Sequence, residues 1–466
     1  MKSILLGLVL TAAHSSSLLV QYPMPSSEQI ELLPAGSTER VLPQTFLSSS
    51  VDIRVRMFPI LSAPPLDPYP PVKNPFVIEM LNRSGLSVLS RPEGILLAKG
   101  KSIRFNFSEE EFLVDEVKVK LREIDILPED ANVTTDLLWD RGEELQIGTS
   151  LRGRFIVMKT SYISMLNRFK NIFKDNNEIW SVINELPLNF YLRSVLPSEI
   201  LPNWHMEALK TQAVAARTYA LYEMAVARTK QKRIWDVDPT TWFQSYRGVT
   251  FRRGDREIRV EADSTNQAVK DSRHNVLTYN KEVIKAYFSS NSGGVTCSAK
   301  ECFNLAGDNP PYLQSVRDHD GVRSMPYGTW GEKANVTKKS VKEKLLMMGF
   351  PQELEVNEVL VNKTGDSGRV WGMKVKLNSG DDIVLNRLQS SALMTLFGGI
   401  RSYLFKLFAP DQHGKQKVVG HGLGHGVGMS QYGALLFAQD GWTADKILTH
   451  YYRGVQLYPI SSEVND

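Results

Sequence analysis

One carboxylate in this chain stands where it could move a proton. Glu199 lies in the stretch VLPSEILPNWHMEALKTQAVAARTYAL, between Pro197 and Pro202. Its neighbours Val195, Leu196, Ile200, Leu201 and Trp204 are apolar. Such a surround disfavours the charged form, raises the pKa of a carboxyl and suits it to general acid catalysis near neutrality. The plain alternative is a surface carboxylate between two helices, which is where most glutamates lie.

Further candidates sit near the other end of the chain. His421 and His425 are four positions apart in GHGLGHGVGMSQYGALLFAQDGW, a spacing that binds zinc when it falls on a helix. Gly424, Gly426 and Gly428 argue against a helix there, and Gly422 stands where a zincin carries its glutamate. Ser430 is no nucleophile elbow, because the second glycine falls at Gly433, one position late. What remains is a glycine-rich loop offering His421, His425, Ser430, Gln431 and Tyr432. The segment SSNSGG (Ser289 to Gly294) joins short polar side chains to adjacent glycines, which let a backbone approach a ligand closely. A tight turn with no ligand fits the same residues. Cys297 and Cys302 follow with four residues between them, and they are the only cysteines. In an exported chain they suit a local disulfide; half a zinc site and free thiols are the alternatives.

These residues need elements to hold them. Leu188 to Leu196 is an apolar run with β-branched and aromatic members, broken by Pro197. After Pro202, Asn203 suits a helix N-cap and Glu207 the first turn, where the helix dipole favours negative charge. Leu209, Ala213, Ala216 and Ala220 then recur at helical steps and give a narrow face of mostly small side chains. The helix also carries Arg217 and Tyr219. Upstream, VDIRVRMF (Val51 to Phe58) alternates as a half-buried strand should, and strand candidates recur in FVIEML, GILLA, SIRFNF and DEVKVKL. LRGRFIVMKT (Leu151 to Thr160) reads as another strand, and Gln431 to Asp440 as the start of a helix.

Three segments together resemble the SpoIID/LytB family of bacterial cell-wall proteins: the stretch around Glu199, AYFSSNSGGVTC (Ala286 to Cys297) and Gly420 to Val455. They come in the family's order across Leu151 to Leu457. The resemblance implies a mixed SpoIID-like catalytic domain over 151–457, while the recurring strand candidates read as a smaller β-rich accessory unit over 51–148; the expected fold class is α+β. It implies a lytic transglycosylase that cuts peptidoglycan glycan strands stripped of stem peptides and leaves 1,6-anhydro ends, with Glu199 catalytic. It places Arg217, Tyr219, Gln244, Tyr246, Ser289, Ser290, Gly293, Gly294, His421, His425, Ser430, Gln431 and Tyr432 at the glycan. The residues themselves equally fit a helix-neighbour pairing for Arg217 and a place in the core for Tyr219, and fit the core better for Tyr246. Gln244 and Tyr246 come from TTWFQSYRGV, which is similar to the family's Gln-x-Tyr-x-Gly segment. The loop that starts at Gly420 is expected opposite Glu199, and Arg317 with Asp318 in a nearby polar network.

Departures from the family pattern are visible. Acidic residues usually precede the catalytic segment, where this chain has Asn189 and Phe190. An Arg and a Trp often precede the second histidine, where this chain has His421 and Leu423. Some members hold zinc near the cysteines with two histidines, but the corresponding positions here are Ser289 or Asn291 and Glu301, so no metal and no other cofactor is expected. The runner-up function is a non-catalytic wall-binding module that stimulates a cell-wall amidase, which would then be a partner.

Composition fits these readings. At 466 residues the chain has room for two or three folded units. A net charge of +4 suits a weakly anionic glycan, and no dense basic run argues for nucleic acid. Lys2 followed by the apolar Ile4 to Ala13 has the layout of a secretory signal peptide or short anchor within residues 1–20, and 21–50 read as a linker. No later run is long and apolar enough to span a bilayer. Export to the periplasm or cell envelope is expected.

Overall fold

A computed structural model describes residues 51–459 apart from 59–75, 92, 108–111, 116, 119–122, 141–145, 162–177, 232, 242, 254–255, 273–274, 304–309, 332–334, 388–392 and 395–399. The expected signal segment (1–20) and linker (21–50) lie outside the described residues. The fold is α+β. Its helices, in chain order, are α1 (Leu188–Glu199), α2 (Met206–Ala225), α3 (Asp263–Asp271), α4 (Ala299–Phe303), α5 (Lys338–Met347), α6 (Gln431–Gln439) and α7 (Ala444–Tyr451). No described helix is long and apolar enough to cross a membrane. Among the described residues the larger of two units takes in 51–288, 310–313 and 434–459, and the smaller takes in 289–303 and 314–433.

The larger unit is built on an antiparallel sheet. Its strands run in the order Asp52–Phe58, Glu178–Pro187, Arg154–Ser161, Glu123–Pro128, Phe76–Ser90, Thr135–Asp140, Gln146–Leu151, Thr250–Arg253 and Arg256–Arg259. Strands from the stretch read as an accessory unit therefore hydrogen-bond directly to those that introduce α1. Alternation explains the register: Ile53, Val55 and Met57 are all buried. The single strand expected over Leu151 to Thr160 is instead the end of one strand and most of another. Between them Gly153 takes φ +86°, and a Cβ there would lie 2.2 Å from the Glu185 carbonyl oxygen.

The chain passes from Glu178–Pro187 straight into α1, so Leu188 to Leu196 is helical. Pro197 lies inside its last turn and has no N–H to give the Arg193 carbonyl, and the helix stops two residues later at Glu199. α2 begins at Met206, with His205 rather than Asn203 as its cap: the imidazole Nδ1 accepts the Glu207 amide at 3.3 Å. Asn203 instead falls in a turn closed by Trp204 N–H on the Leu201 carbonyl (3.1 Å). The small-residue face is as expected, with Leu209, Ala213, Ala216 and Ala220 all buried. Glu207 also accepts the Ala444 amide at the start of α7 (2.8 Å) and Lys210 Nζ (3.0 Å). Burial alone would raise its pKa, but these two donors hold the Glu207 carboxyl below its usual range.

The smaller unit has its own core, including Trp330, Val341, Leu345, Val359, Val370, Met373 and Val418. One sheet is Thr329–Trp330, Lys415–His421, Asn335–Thr337 and Phe405–Pro410; a second is Val356–Thr364, Val370–Leu377 and Asp382–Leu385. The segment from Ser289 to Cys297 is laced to the glycine-rich loop by reciprocal bonds between Asn291 and Leu423 (3.2 and 2.9 Å) and by Cys297 N–H on the Gly426 carbonyl (2.7 Å). The two backbones touch where side chains are missing. Gly422 has φ +82°, and a Cβ there would lie 2.6 Å from the Asn291 carbonyl oxygen.

Gly422→Ala should therefore destabilise the smaller unit by about 2–4 kcal/mol, of which about 1–2 kcal/mol comes from the left-handed backbone alone. Urea unfolding followed by Trp330 fluorescence checks this, and an unchanged midpoint would contradict the close approach.

Candidate functional site

Glu199 is half-buried at the carboxyl end of α1. Its Oε1 accepts the backbone N–H of Ser245 at 2.7 Å. That amide is held from both sides. Gln244 Oε1 accepts the Tyr191 hydroxyl (3.2 Å), and Gln244 Nε2 donates to the Ala216 carbonyl of α2 (3.2 Å). The Tyr246 hydroxyl donates to Asn184 Oδ1 (2.8 Å), and its ring stacks on Tyr191 at 5.2 Å. The next amide, Arg247 N–H, donates to Ser194 Oγ on α1 (3.0 Å). Burial pushes the Tyr191 hydroxyl well above its ordinary pKa, with the Glu199 and Glu223 charges adding to it, so Tyr191 remains a neutral donor.

Four side chains expected at the glycan are thus committed to the interior. Gln244 and Tyr246 are 0% and 1% exposed, and Arg217 and Tyr219 are 1% and 6% exposed. The Arg217 guanidinium donates to the carbonyls of Ser272 (2.6 Å), Val269 (3.1 Å) and Asn275 (3.4 Å), which ties α2 to α3 and to the strand Asn275–Tyr279. Burial lowers its pKa to about 9. Tyr219 packs against Tyr287 (5.9 Å) and Phe288 (6.5 Å), beside the Lys285–Glu223 ion pair (2.8 Å). Physically these residues position α1 and α2. At the departure from the family's acidic pattern, the Phe190 ring receives the guanidinium groups of Arg193 (4.9 Å) and Arg152 (5.2 Å).

In the smaller unit the expected residues do converge. Ser289 Oγ accepts Gly426 N–H (3.2 Å), and the Ser290 carbonyl accepts Tyr432 N–H (3.0 Å). Ser430 Oγ accepts the amides of Ser292 (3.2 Å) and Gly433 (3.3 Å). Ser292 Oγ donates to buried Asp318, whose own amide bonds the Gly294 carbonyl (3.1 Å). Arg317, by contrast, is exposed and pairs with Asp320 (2.7 Å). Gln431 is buried at the start of α6. His425 Nδ1 accepts Val427 N–H (3.0 Å), and its ring packs on Phe303 (5.2 Å). His421 Nδ1 faces the Gly328 carbonyl (3.3 Å) and Thr329 Oγ1 (3.2 Å). Burial lowers the His421 pKa, the Arg323 and Lys406 charges lower it further, and the Gly328 bond only partly opposes them.

Sequence reasoning missed three groups. The Ser245 amide is main chain, so no residue-type pattern marks it. Ser194 is one serine in an apolar run. Arg369 donates to the carbonyls of Ser292 (3.0 Å) and Val295 (3.2 Å) from 74 or more residues away. The cysteines are joined in a Cys297–Cys302 disulfide. Glu301 accepts Ser367 Oγ (2.6 Å), the Ser367 amide (3.1 Å) and Trp371 Nε1 (3.2 Å). A disulfide and a carboxylate already holding three donors do not fit a zinc ion.

Two measurements check this geometry. Tyr246→Phe leaves Asn184 Oδ1 without its hydroxyl donor and should cost about 1–3 kcal/mol, read as a lower urea midpoint at unchanged slope. The His421 imidazole should titrate below 6.5 by NMR, and Arg323→Gln should move its midpoint upward. Because the folded midpoint lies below the unfolded one, the unfolded chain takes up this proton first. The contribution of His421 to stability is therefore lost as pH falls from 6.5 through the folded midpoint. A midpoint at or above 6.5 contradicts the assignment.

Comparison with known proteins bears on the same residues. A family model described as Stage II sporulation protein matches residues 176–279, which take in α1, α2, α3 and Glu199. A second, described as a domain of unknown function (DUF8618), matches 330–428. An uncharacterized protein of Brachyspira hyodysenteriae is 32% identical over 61% of this chain and 70% of its own length. Amidase enhancer of Bacillus subtilis is 27% identical over 57% of this chain, and the match spans 40% of that protein. Stage II sporulation protein D of Bacillus amyloliquefaciens is 30% identical over 59% of this chain and 75% of its own length. The chain belongs to the SpoIID family.

Proposed function

We propose that this protein is an exported lytic transglycosylase acting on peptidoglycan glycan strands stripped of stem peptides. The observation that carries this reading is the carboxyl of Glu199, fixed at the end of α1 by the Ser245 amide (2.7 Å) within the family-matched segment. Hydrolysis of a glycoside ordinarily requires two carboxylates. One suffices when the nucleophile is a hydroxyl of the sugar itself. Glu199 delivers its proton to the glycosidic oxygen as the bond from C1 of N-acetylmuramic acid breaks. The resulting carboxylate takes the proton from the C6 hydroxyl as that oxygen bonds to C1. The products are a 1,6-anhydro end and a free hydroxyl on the departing N-acetylglucosamine, with Glu199 again protonated. No water has to be ordered, and intramolecular attack lowers that part of the barrier. Ser289, Ser290, Gly293, Gly294, His421, His425, Ser430, Gln431 and Tyr432 belong to glycan-binding segments in this reading. Arg217, Tyr219, Gln244 and Tyr246 position the framework.

A second reading is a wall-binding module that stimulates an amidase. The relative named Amidase enhancer supports it, and so does Phe190 with its two arginines at positions where the wider family pattern is acidic. Mass analysis of peptide-free glycan strands after incubation separates the two. The transglycosylase yields anhydro ends, and Glu199→Gln loses at least about a hundred- to ten-thousand-fold in rate while still binding strands. Full activity of Glu199→Gln would remove Glu199 from the mechanism. An intact wild-type substrate, together with faster turnover by an added amidase, would establish the second reading.

A further inference from the structure

The smaller unit carries a cationic, aromatic surface that the reaction above leaves unused. Arg323 is exposed, and its Nε donates to the Gly293 carbonyl at 2.9 Å. The guanidinium lies over the adjacent glycine, so that a Cβ on Gly294 would meet Nε at 3.1 Å and a terminal nitrogen at 3.4 Å. Arg401 is also exposed; its carbonyl accepts Gly424 N–H (2.9 Å), and its guanidinium lies 4.7 Å from the Tyr327 ring centroid. Among the described residues neither arginine is paired with a carboxylate, nor is the nearby Lys406. The neighbouring acids are already engaged: Asp318 with Ser292, and Asp320 with Arg317.

Two further features point to a ligand. Tyr327 is 44% exposed, yet its backbone has φ +63°, a conformation that costs a bulky residue about 1–3 kcal/mol and clusters at functional positions. The turn is pinned to the glycine-rich loop by Gly422 N–H on the Gly328 carbonyl (3.2 Å) and by Trp330 Nε1 on the Gly422 carbonyl (2.8 Å). Burial and the neighbouring Arg323 and Lys406 charges lower the His421 pKa. Its Nδ1 faces the Gly328 carbonyl (3.3 Å) and Thr329 Oγ1 (3.2 Å), whose own hydroxyl donates to the Arg323 carbonyl (3.1 Å); a proton on Nδ1 serves both oxygens and leaves Nε2 as an acceptor.

We propose that Arg323 and Arg401 bind the free lactyl carboxylate of N-acetylmuramic acid, with Tyr327 against a sugar face and His421 Nε2 accepting a sugar hydroxyl. This rests on the glycan reading above. A guanidinium matches a carboxylate with two parallel donors, and an aromatic face matches the apolar side of a pyranose. When a stem peptide is attached, the same lactyl group is an amide and carries no charge. The surface therefore supplies a physical reason for a preference for stripped strands.

The test is binding of full-length Glu199→Gln protein, whose turnover is expected to be at least about a hundredfold slower, with strand length checked by mass after each titration. The probes are peptide-free glycan strands and the same strands with their lactyl carboxylates converted to amides. The expected result is at least a tenfold weaker Kd for the amidated strands. Arg323→Gln combined with Arg401→Gln should weaken native strands to that level and leave amidated strands within about twofold. Equal affinity for native and amidated strands before any arginine is changed overturns the proposal. So does an equal loss for both probes in the arginine variant, or binding of an oligothymidylate as tight as that of native strands. Wild-type cleavage is scored separately. Carboxylate-dependent binding without cleavage sinks the transglycosylase and leaves this site standing; cleavage without carboxylate dependence does the reverse.

Discussion

The Glu199 carboxyl is tied to the rest of the larger unit through a backbone amide, that of Ser245. The bond from Ser245 to Glu199 has fixed ends on both sides. Glu199 closes a helix that leaves the central sheet without a loop. Ser245 is flanked by two buried side chains, one bonded to Tyr191 and α2, the other to Asn184 of the strand Glu178–Pro187. Asn184 in turn donates to the carbonyls of Arg152 (2.9 Å) and Arg154 (3.2 Å), either side of the break at Gly153. Sheet, α1 and α2 are thereby referenced to one another through the residues that flank the Ser245 amide.

The smaller unit solves a different problem by related means. Two glycine-containing segments lie close against each other, joined by main-chain bonds and by the short hydroxyls of Ser289 and Ser430 rather than by apolar packing. Arg369 closes this arrangement from the segment matched by the domain of unknown function, spending its guanidinium on carbonyls. It is 1% exposed, and burial lowers its pKa to about 10. Among the described residues its hydrogen bonds go to carbonyls, and the Glu301 charge only partly offsets the burial, so the guanidinium is costly where it lies.

Periodicity and spacing reached a good part of this. The small face of α2, the position of Glu207 in its first turn, the non-helical glycine-rich loop and the start of α6 at Gln431 were all readable, because each rests on neighbours a few residues apart. Partners distant in sequence account for much of what local pattern does not give. Asn203 looked like a better cap than His205 on residue type, but the turn at Leu201 to Trp204 takes up the intervening residues. Arg217 and Gln244 have the chemistry of sugar ligands, yet their partners lie 55 and 28 residues away and turn both inward. The stretch over 51–148 reads as a unit of its own because its strands are local, whereas the pairing of Glu123–Pro128 with Arg154–Ser161 depends on register across the whole sheet. The disulfide resolved alternatives that spacing had left open.

The amide at Ser245 has a consequence for how such proteins diverge. A contact made by main chain tolerates drift in residue identity, since any small side chain leaves the N–H in place. Proline alone deletes the donor outright. What the contact requires at position 245 is therefore the path of the chain, and any residue but proline on that path supplies the same donor.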